Sequence, residues 1–178
     1  MKKLIKLSMV ITGMMAVNGC TDKKKTDSVT QIEAIEKKTI TKDLEMDVKV
    51  ADQLVAEYLM FAEKYPKAKE TPDYIFKAAE ITNGKQQYTD ALTLFERVYT
   101  KYPKYRRAPE SMFLCGFINE TGKKDLVKAG EYYKKFIDTY PENPLRKDAE
   151  ASLKNLNKSP EELIREFEKM NKETEPAS

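Results

Sequence analysis

Ala91-Leu92-Thr93-Leu94-Phe95-Glu96-Arg97-Val98-Tyr99-Thr100-Lys101-Tyr102-Pro103 decides the fold, because its pattern recurs along the chain. Tyr-Pro pairs stand at 65–66, 102–103 and 140–141, so the prolines are spaced by 37 and then 38 residues. Counting back twelve positions from each proline gives Leu54, Ala91 and Ala129; eight gives Tyr58, Phe95 and Tyr133; five gives Phe61, Val98 and Phe136. One apolar face is thus written three times at helical spacing, and each copy stops at a proline that cannot continue a helix. Counting forward thirteen gives Ala79 and Gly116, small residues at which two helices of a hairpin can approach closely, whereas the third copy has Lys154. A period of this length predicts stacked helical hairpins, each burying on its neighbours an apolar face that it cannot bury alone.

Local signals agree. From about Asp43, the residues Leu44, Val48, Ala51, Val55, Tyr58, Leu59 and Ala62 recur in steps of three and four and predict a helix to about Lys64. Thr71-Pro72-Asp73 sets a hydroxyl cap before a first-turn proline, and Ala108-Pro109-Glu110 repeats the proline. Thr89 or Asp90, and then Asp125, are the expected caps of the helices that hold Ala91 and Ala129. Gly84 and Gly122 follow helices as terminators. Ser159-Pro160-Glu161-Glu162 is a capping box. Behind it Leu163, Ile164, Phe167 and Met170 fit a capping helix facing the stack, or one that docks on a partner. No stretch within 43–171 alternates as a strand requires. The fold read from these signals is all-α: a helical-hairpin solenoid of about seven helices with a C-terminal capping helix.

Ile75, Ala78, Ala79 and Thr82, then Ala91, Phe95, Val98 and Pro103, followed by Met112, Cys115, Gly116 and Asn119, then Ala129, Tyr133, Phe136 and Pro141, carry a family resemblance. Over roughly residues 50–157 the chain resembles the tetratricopeptide repeat. Thr82 and Asn119 depart from it, standing where an aromatic is usual, and one extra residue lies near Lys123-Lys124. The stretch from Tyr102 to Gly116 is similar to repeats of envelope proteins serving outer-membrane β-barrel assembly and the Tol-Pal system. The resemblance implies that the first helix of each pair lines an inner face. It carries Asp73, Phe76, Glu80 and Asn83, then Glu110, Phe113, Phe117 and Glu120, with Ala151 and Asn155 beyond. Phenylalanines among carboxylates and amides suit a peptide with apolar anchors and some basic residues. Helical aromatic spacing fits core equally well, so Phe113 and Phe117 stay open between groove and core. A second surface gathers Lys101, Lys104, Arg106, Arg107, Lys123 and Lys124 near the loops, fitting a solvated face, an acidic partner or lipid headgroups.

The N-terminus supplies a location. Lys2, Lys3 and Lys6 precede the apolar stretch Leu4 to Ala16, and Val17-Asn18-Gly19-Cys20 resembles a bacterial lipobox, in which Cys20 receives a diacylglyceryl thioether. That apolar stretch is too short to span a bilayer permanently. The organisation read from the sequence is therefore signal peptide 1–19, flexible tether 20–42, repeat domain 43–157, capping helix 158–171 and disordered tail 172–178. Within the tether, 32–42 with Ile32, Ile35 and Ile40 fits a short helix, an edge strand or ordered coil. The chain has 32 basic and 29 acidic residues, and the three signal lysines account for the formal +3, so the processed protein is neutral. Neutrality removes the compositional support for a nucleic-acid partner. With Cys20 acylated, Cys115 has no disulfide partner, and the fold rests on packing.

Chemistry is sparse in this sequence. There is no histidine, the commonest general base and metal ligand. Cys115 sits in the apolar run Phe113-Leu114-Cys115-Gly116-Phe117 and reads as a packing residue. No metal-ligand spacing, phosphate loop or cofactor motif appears. The expectation is a non-enzymatic protein–protein interaction adaptor of the bacterial cell envelope, lipid-anchored in the outer membrane and facing the periplasm. Its partners would be envelope proteins or peptides and the membrane itself. The alternatives are an accessory subunit of outer-membrane protein assembly and a glycan- or lipid-binding envelope module.

Overall fold

The three Tyr-Pro pairs fall just after helices, where proline ends them. The computed structural model describes residues 18–39 and 48–159, with 161, 162, 164, 165 and 169 beyond them. Among these residues there are seven helices and no strand: α1 (Asn18–Thr39), α2 (Val48–Lys64), α3 (Thr71–Gly84), α4 (Tyr88–Lys101), α5 (Ala108–Thr121), α6 (Leu126–Thr139) and α7 (Arg146–Asn155). The chain divides into two compact units, Met1–Met46 and Asp47–Ser178.

In the first unit, α1 occupies residues read as a flexible tether. The correction has a local cause, because no glycine or proline stands between Gly19 and Pro66, and Lys, Gln, Glu and Ala in this stretch are good helix formers. The alternatives left open for 32–42 thus resolve to helix as far as Thr39, while residues 1–17 of the expected signal peptide 1–19, and residues 40–47, lie outside the described residues.

In the second unit each helix packs on its neighbour in sequence, from α2 against α3 to α6 against α7. All nine positions of the threefold pattern are buried: Leu54, Ala91 and Ala129; Tyr58, Phe95 and Tyr133; Phe61, Val98 and Phe136. Ala79 is likewise buried, and Gly116 lies so close to Tyr133 that a methyl group there would meet the ring. The three Tyr-Pro loops repeat one backbone pattern. Tyr65, Tyr102 and Tyr140 donate to Phe61, Val98 and Phe136, and then accept from Ala68, Tyr105 and Asn143 at 3.0, 2.9 and 3.1 Å. The N–H groups of Thr71, Ala108 and Arg146 next donate to the carbonyls of Ala68, Tyr105 and Asn143.

Polar contacts at about one repeat's separation hold successive hairpins together. The Tyr102 hydroxyl donates to the Pro66 carbonyl at 3.1 Å. Arg97 pairs with Glu63 at 2.7 Å, the Tyr132 hydroxyl bonds Glu96, and the Lys135 ammonium lies 5.1 Å from the Tyr99 ring centre.

Several caps differ from the sequence reading. Asp125 does cap α6, accepting from the Lys128 N–H at 3.1 Å. Helix α4 instead begins after Gln87 without a side-chain cap, placing Thr89 and Asp90 inside its first turn. Thr71 is the first residue of α3, and its buried hydroxyl donates back to the Tyr65 carbonyl at 2.6 Å. Neither Gly84 nor Gly122 has a positive φ; the left-handed positions are Gln86 at 60° and Lys124 at 57°. The turns close two residues later than the glycines because the chain must swing into Gln87 and Asp125, the N-caps of α4 and α6. The capping box at Ser159 is formed, the Ser159 N–H donating to Glu162 at 2.8 Å and the Glu162 N–H to the Ser159 hydroxyl at 3.2 Å. Ile164, expected inward, is 59% exposed. Leu163, Phe167 and Met170 lie outside the described residues.

Candidate functional site

The anticipated inner-face residues fall on α3, α5 and α7, and the structure sorts them into core, brace and surface. Phe76 is core. Its ring is fully buried, with its centre 5.2 Å from that of Phe95 and 6.4 Å from that of Tyr105. Arg107, from the loop entering α5, covers it with its guanidinium carbon 3.5 Å from the ring centre. Phe76 therefore leaves the set of candidate partner contacts, because a charged lid already occupies the face that a ligand would use.

Glu80 and Glu110 are the posts of that lid. Arg107 Nε and Nη2 donate to the two Glu110 carboxylate oxygens at 2.8 and 2.9 Å, and Nη2 also reaches Glu80 at 3.0 Å. The bond to Glu110, with that to Glu80, raises the Arg107 pKa against the opposing effect of burial. This bidentate geometry suits guanidinium and carboxylate. Asp73 is similarly engaged, accepting from the Tyr105 hydroxyl at 2.7 Å and pairing with Lys77 at 3.3 Å. The cluster ties α3 to α5 and accounts for acidic residues that sequence alone assigned to a ligand.

What remains accessible lies along α5. Glu110, Phe113, Phe117 and Glu120 stand at steps of three, four and three and share one helix face. Phe113 is half-buried, its ring centre 5.6 Å from that of Tyr133 and 5.8 Å from that of Phe136. Phe117 is 44% exposed. The choice between core and groove thus divides, Phe113 serving mainly the core and Phe117 mainly the surface. Glu120 accepts from the Tyr133 hydroxyl at 2.6 Å, so its carboxylate is held in place rather than free to swing. Burial first, and this bond second, raise the Tyr133 pKa. Asn83 and Asn155 are half-buried near the ends of α3 and α7, and Ala151 is exposed.

The basic surface also divides. Arg107 belongs to the Phe76 lid, and Lys123 approaches the Thr89 hydroxyl at 3.5 Å. Lys101, Lys104 and Arg106 instead join Lys67 and Lys69 around a groove between two Tyr-Pro loops. The sequence reading missed Lys67 and Lys69. The signal was there: Lys67 and Lys104, like Lys69 and Arg106, hold the same places after their prolines, 37 residues apart.

Reactive chemistry finds little purchase. Cys115 is buried, and burial, with Glu96 nearby, pushes its thiol well above the ordinary range, the opposite of what a nucleophile needs. Among the described residues no group of His, Cys, Asp or Glu side chains is arranged to hold a metal ion. None of the described helices is long and apolar enough to cross a membrane.

The tetratricopeptide repeat family profile matches residues 73–105, which is the hairpin α3–α4 with the loop that follows. No curated protein matches the chain. The match agrees with the periodic burial and the repeated loop geometry: this is an all-α helical-hairpin solenoid of the tetratricopeptide type. Such repeats act as protein-interaction scaffolds.

Proposed function

We propose that the protein is a non-enzymatic adaptor of the bacterial cell envelope, anchored through lipid on Cys20 and holding protein partners against the α5 face. The observation that carries the partner site is Phe117, a large aromatic side chain left 44% exposed on a helix whose neighbouring carboxylates are fixed by internal bonds. An ordered aromatic flanked by ordered acids presents a binding surface at little conformational cost. Anchoring rests on the lysine-rich start, the short apolar stretch and the Gly19-Cys20 junction. It favours the outer membrane, with the solenoid facing the periplasm. The resemblance of the Tyr102–Gly116 stretch to barrel-assembly and Tol-Pal repeats makes envelope assembly proteins the partner class to look for.

A photo-crosslinking residue in place of Phe117, with a control at exposed Lys134, tests the surface in intact cells. A discrete envelope protein trapped from position 117 and not from 134 is the expected result. Equal labelling from both positions in a folded protein would remove the α5 face. In parallel, Cys20→Ser is expected to lose the lipid and the membrane fraction; unchanged membrane partitioning would overturn the anchor.

A further inference from the structure

The groove between the Tyr65–Pro72 and Lys101–Arg106 loops has the chemistry of a second binding site. It is an open groove of about 790 Å³ between successive hairpins. Tyr102, Tyr105 and the prolines 66, 72 and 103 line it beside the cations. The two tyrosines are held in place, Tyr102 bonded to the Pro66 carbonyl and Tyr105 to Asp73. Lys67, Lys69, Lys101, Lys104 and Arg106 line the groove, and no carboxylate does. None of these five cations forms an ion pair or hydrogen bond among the described residues, whereas nearby Arg97 and Arg107 are both paired with glutamates. Four of the five are two residue pairs in register, Lys67 with Lys104 and Lys69 with Arg106, so the two walls present matched positive charge.

We propose that this groove binds an extended, acidic, proline-tolerant peptide segment of a partner protein. Unpaired cations favour carboxylates, and a strip of aromatic and proline surface suits a polyproline-type backbone, which is already extended and loses little entropy on binding. The mostly apolar surface between the cations favours a chain that carries apolar as well as acidic groups over an anionic bilayer. This site shares no residue with the α5 stripe, so the two readings stand or fall separately.

The probe is a fluorescent peptide of alternating glutamate and proline, measured by anisotropy at low salt on the full chain. Saturable binding is expected, with at least tenfold loss in the double variants Lys67→Glu/Lys69→Glu and Lys104→Glu/Arg106→Glu. Lys123→Glu/Lys124→Glu should bind as the parent does, and a glutamine-proline peptide should not bind. These side chains are exposed or lie at the groove rim, and circular dichroism with thermal unfolding checks that each variant is folded. A lysine-proline peptide should bind the fourfold reversed groove, a result that mere loss of fold cannot produce. Absence of saturable binding to the parent, or equal binding by the reversed variants, overturns the proposal. Reversal-sensitive binding of phosphatidylglycerol vesicles in place of the peptide also overturns it, assigning the groove to a membrane surface.

Discussion

Gly116 is a point of close approach between the two helices of a hairpin. A Cβ at this position would stand 2.7 and 2.8 Å from two Tyr133 ring carbons, and that ring is buried with its hydroxyl held by Glu120 at 2.6 Å. The ring has nowhere to retreat. Gly116→Ala brings two opposing effects: a helix-propensity gain of about 1 kcal/mol and overpacking of about 1–3 kcal/mol. Gly84 is the matched control, since nothing lies within 4 Å of its added Cβ and its φ is not positive. Urea unfolding should show Gly84→Ala unchanged or stabilised and Gly116→Ala less stable, with a gap of about 1–3 kcal/mol between them. Equal effects would mean that Tyr133 moves aside and that the packing is looser than these distances imply.

At the scale of the helix and its turns, the positive φ at Gln86 and Lys124 is borne by residues with a Cβ, one step before the α4 and α6 N-caps. A non-glycine residue in the left-handed region costs about 1–2 kcal/mol, and glycine recovers part of that while adding unfolded-state entropy. Gln86→Gly and Lys124→Gly should therefore each stabilise the protein by roughly 0.5–1 kcal/mol, read as a higher urea midpoint at unchanged slope. A loss of stability would show that these side chains make contacts outweighing the strain. The same turns show what could be read in advance. Helix interiors were legible because Leu54, Phe95 and Phe136 belong to a pattern repeated three times, and burial follows pattern. Turn geometry was not, because glycine at 84 and 122 advertises a left-handed position that the backbone assigns elsewhere. The site was legible only in part for a related reason: Phe76 and Phe117 have the same character in sequence, and what separates them is Arg107, which reaches back from the next hairpin to cover the first. Helix α1 was misread from its polarity, which argues against a buried face but not against local helix.

Across the whole solenoid, tyrosine links helix to helix, within and between hairpins, and this sets the pH range in which the stack holds. Tyr105 bonds Asp73, Tyr132 bonds Glu96 and Tyr133 bonds Glu120, each a phenol on a carboxylate from another helix. Burial first, and the carboxylate bond second, push all three above the ordinary tyrosine range, and burial pushes Tyr99 up to about 12. The sign follows from proton binding. The unfolded chain releases these protons near pH 10 while the folded chain keeps them, so above about pH 10 the folded state binds more protons and stability falls as pH rises. The contribution is complete below about pH 10 and is lost as pH passes through the folded values, starting with Tyr99 at about 12. With no histidine in the chain, nothing equivalent titrates between about pH 6 and 8. Thermal unfolding followed by circular dichroism should give a level midpoint across that neutral range and a steep fall above about pH 10. The fall should be shallower in Tyr132→Phe, which keeps the ring and removes the phenol that titrates against Glu96. A midpoint that stays level to about pH 12, or that first drops near neutrality, would show that the stack is not held by these phenols. Because the described helices of the solenoid pack mainly on their sequence neighbours, loss of one such link should propagate along the stack as an interface failure rather than stay local.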